Sequence, residues 1–208
     1  MQSDVLPKVT NPRITSPRIT MLSKEEALQR GRELGIDDYV ASMNLFRVLL
    51  KHPEVAKALN NTIMTLVSGA KVLDARLREL IIMRVSWLAR CDYEWTQHWQ
   101  AALFFGLSES ELIAVRDWQR AECFTAQERA LFAATDDVLS CGTITAENWQ
   151  QLADYFSADI ALIEIVTCIG NWHMFAQLLC ALDIPLEDTM TSWPPDGRAP
   201  SAEPRKLS

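Results

Sequence analysis

Between Asp74 and Arg90 the apolar residues fall at Leu77, Leu80, Ile81, Val85 and Leu88, the ~3.6-residue period of a helix with one buried face. That period recurs through most of the chain, and the two-residue alternation of a half-buried strand does not. Boundary signals agree with it. Ser108 with Glu111, and Thr125 with Glu128, have the spacing of capping boxes. Gly106 and Gly142 stand where helices would stop, and Pro185 ends the last one. The fold class is therefore all-α, with about eight helices from Ser23 to Leu182. Expected helices are Asp38–Leu50, Pro53–Leu66, 74–90, a helix capped by Asp92 that runs to about Phe105, one after Ser108, Arg129–Leu139, one from Thr145 to about Phe156, and Ala158–Leu182.

Composition changes at the two ends. Five of nine prolines lie at or beyond Pro185 and three lie before Ser23. The segment 1–22, with Pro12-Arg13-Ile14-Thr15 echoed by Pro17-Arg18-Ile19-Thr20, reads as an extended arm. Residues 23–184 read as the helical domain and 185–208 as a Pro-rich tail. Both ends are expected to be disordered or to wrap a neighbouring subunit.

Chemistry is concentrated in Cys91-Asp92-Tyr93-Glu94-Trp95-Thr96-Gln97-His98. On a helix, Cys91, Glu94 and His98 at i, i+3 and i+7 share one face. Thiol, carboxylate and imidazole are the groups that most readily attack carbon or move protons near neutral pH. Glu94, one turn before His98, would orient the imidazole as an acid/base unit, or the two form an ordinary helix-surface pair. Glu79 lies among Leu77, Leu80 and Ile81, where a buried carboxylate needs a partner; Arg76, one turn earlier, is the simplest one. Cys91 at a helix start is pulled toward the thiolate by the dipole and away from it by Asp92 and Glu94. Arg84 and Arg90 are the nearby cations for a substrate carboxylate. Trp95 and Trp172, with Trp87 and Trp99, would line an apolar pocket or belong to the core. His173 reads as a core histidine and His52 as a loop residue. Glu79, Glu94 and His98 form a mixed metal-ligand set on paper, but no second histidine stands at metal spacing, so no metal is expected.

The net charge of −7 and the absence of a Lys/Arg stripe argue against nucleic acid and membrane-surface partners. The five cysteines are widely spaced and odd in number, which suits a reducing compartment, most simply a cytoplasm. No signal peptide is evident at the start.

Together Arg76-x-x-Glu79, Cys91-x-Tyr93-Glu94-Trp95-x-x-His98, Ala101-Ala102 and Gly106-Leu107 resemble the carboxymuconolactone decarboxylase family, whose fold group includes the alkylhydroperoxidase D proteins. The similarity runs from about Asp74 to Ile113. It continues more weakly in Pro17-Arg18-Ile19, Gly170-Asn171-Trp172 and Ala181-Leu182-Asp183-Ile184-Pro185. The resemblance implies a cofactor-free, all-helical enzyme that assembles as a homotrimer or hexamer. In the peroxidase branch a CxxC is followed by a histidine, with a glutamate upstream. Cys91, His98 and Glu79 match those positions, but Glu94 replaces the second cysteine, so the usual disulfide cycle cannot run. A glutamate four residues before the histidine looks like the decarboxylase branch, whose substrate is a carboxylated lactone.

Three functions follow as expectations. The first is a carbon–carbon lyase, or a related proton-transfer isomerase or cyclase, acting on a small cyclic carboxylic acid or lactone. Loss of carbon dioxide would leave a dienolate, and a protonated His98 would deliver a proton to carbon while Glu94 or Glu79 holds the ring. The second is a thiol-dependent peroxidase or reductase using Cys91 alone. The third is a non-catalytic helical oligomer that binds an apolar ligand.

Overall fold

The computed structural model describes residues 17–69 and 72–201, and helices account for most of them. In chain order these are α1 (Lys24–Leu34), α2 (Asp38–Ser42), α3 (Asn44–Leu49), α4 (Pro53–Met64), α5 (Ala75–Ala89), α6 (Asp92–Phe104), α7 (Glu109–Ala114), α8 (Ala126–Cys141), α9 (Ala146–Tyr155) and α10 (Asp159–Ala181). The expected all-α class holds among the described residues, with ten helices rather than about eight. The region expected as one helix from Asp38 to Leu50 is split at Met43, whose extended backbone (ψ 142°) separates α2 from α3. The capping boxes at Ser108 and Thr125 are both formed. Asp92, in contrast, is the first helical residue of α6 rather than its cap. Cys91 takes the cap position, and Asp92 accepts from Thr96, Ser192 and the Trp193 N–H.

α5 is the hub and packs most extensively against α6, α8 and α10. It is a layer interior rather than a surface helix, and every residue from Leu77 to Ser86 is buried, including Arg78, Glu79 and Arg84. One apolar cluster fills the space between α5, α8 and α10, with Ile81, Ile82, Leu131, Ile165 and Ile169 at its centre. A second joins α1–α4 to the C-terminal half of α10 through Phe46, Leu50, Phe175 and Leu179. A third gathers Trp95, Trp99, Leu80 and Phe132. Each fully buried aliphatic side chain contributes about 1.5–3 kcal/mol, which fixes α5 against its three neighbours. By length and composition α10 is apolar enough to cross a membrane, but half of it is buried against this core.

The described parts of the two ends, residues 17–22 and 185–201, fold back on their own chain. Residues 185–201 run as a strap along α6. Glu187 accepts from Tyr93 Oη and Gln97 Nε2, each at 2.6 Å, and the Trp95 indole donates to the Pro194 carbonyl at 2.9 Å. Arg116 clamps the strap through Asp196 at 2.8 Å while its guanidinium lies 4.9 Å from the Trp87 ring centre. At the other end, the Arg18 N–H reaches the Leu182 carbonyl at 2.9 Å. The first Pro-Arg-Ile-Thr segment and the chain beyond residue 201 lie outside the described residues.

Candidate active site

The turn between α5 and α6 sets the site. Arg90 closes α5 in the left-handed conformation (φ 58°), and Cys91 is extended (φ −93°, ψ 96°), so the chain reverses within two residues. Glu79 lies about three turns before the reversal and His98 about two turns after it. The two face each other: His98 Nδ1 is 2.8 Å from Glu79 Oε2. The other carboxylate oxygen, Oε1, accepts from the Arg78 guanidinium at 3.3–3.4 Å. Glu79 is thus a buried anion held by two cationic or proton-bearing groups, which such a charge requires.

His98 is also held at its far nitrogen. The Trp172 indole on α10 donates to His98 Nε2 at 3.1 Å. An indole N–H can only donate, so Nε2 carries the lone pair and Nδ1 carries the proton shared with Glu79. The ring is fixed in one tautomer and orientation, and its side chain remains 24% exposed.

Glu94 does not pair with His98 as expected; Glu79 takes that place. Glu94 is buried, and neither carboxylate oxygen has a hydrogen-bond partner. Burial pushes its carboxyl well above the ordinary value, and negative charge on Cys180 adds to the effect. It therefore holds its proton more tightly than a free carboxyl, and Glu79 is the carboxylate hydrogen-bonded to the imidazole.

Cys91 is 1% exposed and points away from solvent. Hydrogen bonding to Cys180 and burial hold it as a thiol, so the helix-start pull toward thiolate is overridden. The expected single patch of Cys91, Glu94 and His98 is therefore two neighbouring groups, Glu79–His98–Trp172 and Cys91–Glu94–Cys180. Cys168, on α10, is buried beside them, and burial and the Glu79 carboxylate push its thiol up.

Other assignments change. Arg84 is buried and committed to Asp136 at 2.6 and 2.8 Å and to the carbonyls of Val115 and Arg116, so it cannot receive a substrate carboxylate. Arg90 instead lines a cavity of about 260 Å³ with His173, Gln177 and Cys180. His173 is thus a cavity residue rather than a core one. Trp95 lies in the tryptophan cluster, 5.3 Å from Trp87 and 5.9 Å from Trp99 between ring centres, and is core rather than pocket wall. Arg76 joins Glu111 and Glu128 rather than Glu79. Among the described residues, no group of three His, Cys, Asp or Glu could hold a metal ion. Arg78 and Cys180 were not singled out from sequence. The signal for Cys180 is the row Cys168, Trp172, Ala176 and Cys180 at four-residue spacing on one face of α10.

The sequence pattern of the carboxymuconolactone decarboxylase family matches residues 53–137, which span α4 to α8 and contain Glu79, Cys91, Glu94 and His98. Among curated proteins none matches the sequence. Solved structures share the fold. A protein of unknown function from Agrobacterium tumefaciens, proposed as the antioxidant defence protein AhpD, is 24% identical (TM-score 0.63), the match covering 67% of this chain and 94% of that one. The debrominase Bmp8 is 21% identical (TM-score 0.69), covering 82% and 91% in a cysteine-to-alanine variant in complex with 2,3,4-tribromopyrrole. An uncharacterised peroxidase-related protein from Ralstonia eutropha is 14% identical (TM-score 0.68), covering 83% and 93%. The domain thus has the alkylhydroperoxidase D-like helical fold.

Proposed function

We propose that this chain is a cofactor-independent acid/base enzyme acting on a small cyclic carboxylic acid or lactone, with His98 as its base. The clamping of His98 between Glu79 and Trp172 carries this reading. Nε2 has a fixed lone pair near the surface, and the group behind the ring is a carboxylate that offsets the positive charge gained on proton capture. An imidazolium at His98 meets the Glu79 carboxylate that already holds it in register.

In the cycle that fits this geometry, substrate displaces the indole N–H from Nε2. A carbon-bound proton next to the substrate carbonyl then passes to Nε2, and the electron pair moves into the carbonyl to give an enolate. Return of the proton at a conjugated carbon completes an isomerisation. Decarboxylation is the related cycle that starts from protonated His98: carbon dioxide leaves, and the resulting dienolate takes the proton. The resting tautomer favours abstraction as the first step. A small ring also suits the fold, since Bmp8 holds tribromopyrrole. The same reading takes the active particle as a homo-oligomer.

The test is a screen of carboxylated lactones and cyclic unsaturated acids by proton NMR in deuterated water, which reports carbon dioxide loss, isomerisation and deuterium uptake together. His98→Ala should slow turnover of the substrate found by about a hundredfold or more, the scale of a lost general base. Glu79→Gln should fall between, and Cys91→Ala should cost far less. Full activity in a folded His98→Ala variant contradicts the proposal.

A further inference from the structure

Cys180 ends a row of α10 residues that faces the α5–α6 turn. It is exposed and forms one wall of the ~260 Å³ cavity, together with Arg90, His173 and Gln177. Behind that wall Cys91 is hydrogen-bonded to Cys180 and buried in the cluster that includes Ala176 and Leu179 from the same stretch of α10. Two thiols from distant parts of the sequence therefore meet, one open to a cavity and one sealed behind it. Both are free, and neither is used by the Glu79–His98 pair.

We propose that Cys180 and Cys91 are a redox dithiol: Cys180 attacks a small-molecule disulfide entering the cavity, and Cys91 resolves the product. The division of labour follows from the environments. Hydrogen bonding from Cys91 lowers the Cys180 pKa, favouring the attacking thiolate, whereas Cys91 is held as the thiol. In the first step the Cys180 thiolate displaces one half of the disulfide, RSSR, forming a Cys180–S–S–R bond and releasing RS⁻. In the second, the Cys91 sulfur attacks Cys180 Sγ and its proton passes to the departing half in the cavity. The Cys91–Cys180 bond forms, and the second half leaves and is protonated to RSH. The protein dithiol loses two electrons and the small disulfide gains them. The polar lining from Arg90, His173 and Gln177 suits a disulfide with polar arms such as oxidised glutathione. This chemistry uses residues outside the proton-transfer site, so either proposal stands if the other falls.

The full-length protein, fully reduced, is incubated with oxidised glutathione, quenched with acid and alkylated, then measured by intact mass and peptide mapping. Wild type should lose two hydrogen masses and give a peptide linking Cys91 to Cys180. Cys91→Ser, checked for helical content, should stop at one stable glutathione adduct on Cys180. Cys180→Ser should give neither product, and His98→Ala should behave as wild type. A persistent adduct on Cys180 in the wild type would overturn the proposal. So would reaction confined to the exposed Cys123 or Cys141 while Cys180 stays alkylatable.

Discussion

Glu94 shows how one side chain changes meaning between sequence and structure. Its spacing to His98 permits a pair, but Glu79 reaches the imidazole first across the helix turn, and spacing along one helix says nothing about a competitor on the next. What remains is a buried acid without a partner, and this sets a pH dependence. Its folded-state pKa lies well above the ordinary 4.5, so the folded protein keeps the proton after the unfolded chain has lost it. The associated stability is fully present below pH 4.5 and is lost as pH rises through the folded value. Glu94→Gln removes this titration. Urea unfolding from about pH 5 to 7 should show the variant gaining on the wild type, by at most about 1.4 kcal/mol per pH unit. Glu111 and Asp196, both lowered to about 2, act only on the acid side and leave this window clear. Parallel wild-type and variant stabilities across the window would show that Glu94 is not held neutral. His98 and Glu79 stood out by residue type and setting, whereas spacing put Cys91 and Glu94 on one patch with His98, and the structure parts them from it. Arg84 was misread because burial and the bidentate contact to Asp136, far away in sequence, cannot be read from a local window.

Helices were the most legible level, because capping boxes and stop glycines are local signals: Gly142 adopts φ 75°, as its place after α8 requires. Contacts between helices were not legible, since they depend on which faces meet. Gly31, inside α1, is an example. A Cβ at that position would lie 2.6 Å from the Ala41 Cβ on α2. In a free helix Gly→Ala gains up to about 1 kcal/mol. Here the clash with a fully buried neighbour should reverse the sign, and Gly31→Ala should destabilise the fold by about 1–3 kcal/mol. Thermal unfolding of the two proteins decides this, and an equal or higher midpoint for the variant would mean that α1 and α2 separate at no cost. The strap of residues 185–201 was likewise invisible in composition. Proline content suggested a loose tail, but Tyr93, Trp95 and Gln97 on α6 supply the polar and aromatic groups that dock it.

Across the whole molecule, α10 packs one face on the core and leaves Ile160 57%, Ile163 65% and Val166 40% exposed on another. A contiguous apolar strip of this kind on a central helix is what a subunit contact covers. Light scattering at micromolar concentration should give a multiple of the 23.5 kDa chain mass, reduced in Ile163→Glu. A single 23.5 kDa species for the wild type would contradict the oligomer. The α5–α6–α10 arrangement also fixes the His98 tautomer, because α10 brings Trp172 to the nitrogen of His98 that Glu79 leaves free. The most direct test is therefore which nitrogen of His98 holds the proton. Long-range proton–nitrogen NMR of histidine-labelled protein, with His98 assigned from the His98→Gln difference spectrum, reads this without a substrate. The expected result is a protonated Nδ1 and a bare Nε2, the base ready for a carbon-bound proton; a proton on Nε2 would contradict the role given to His98.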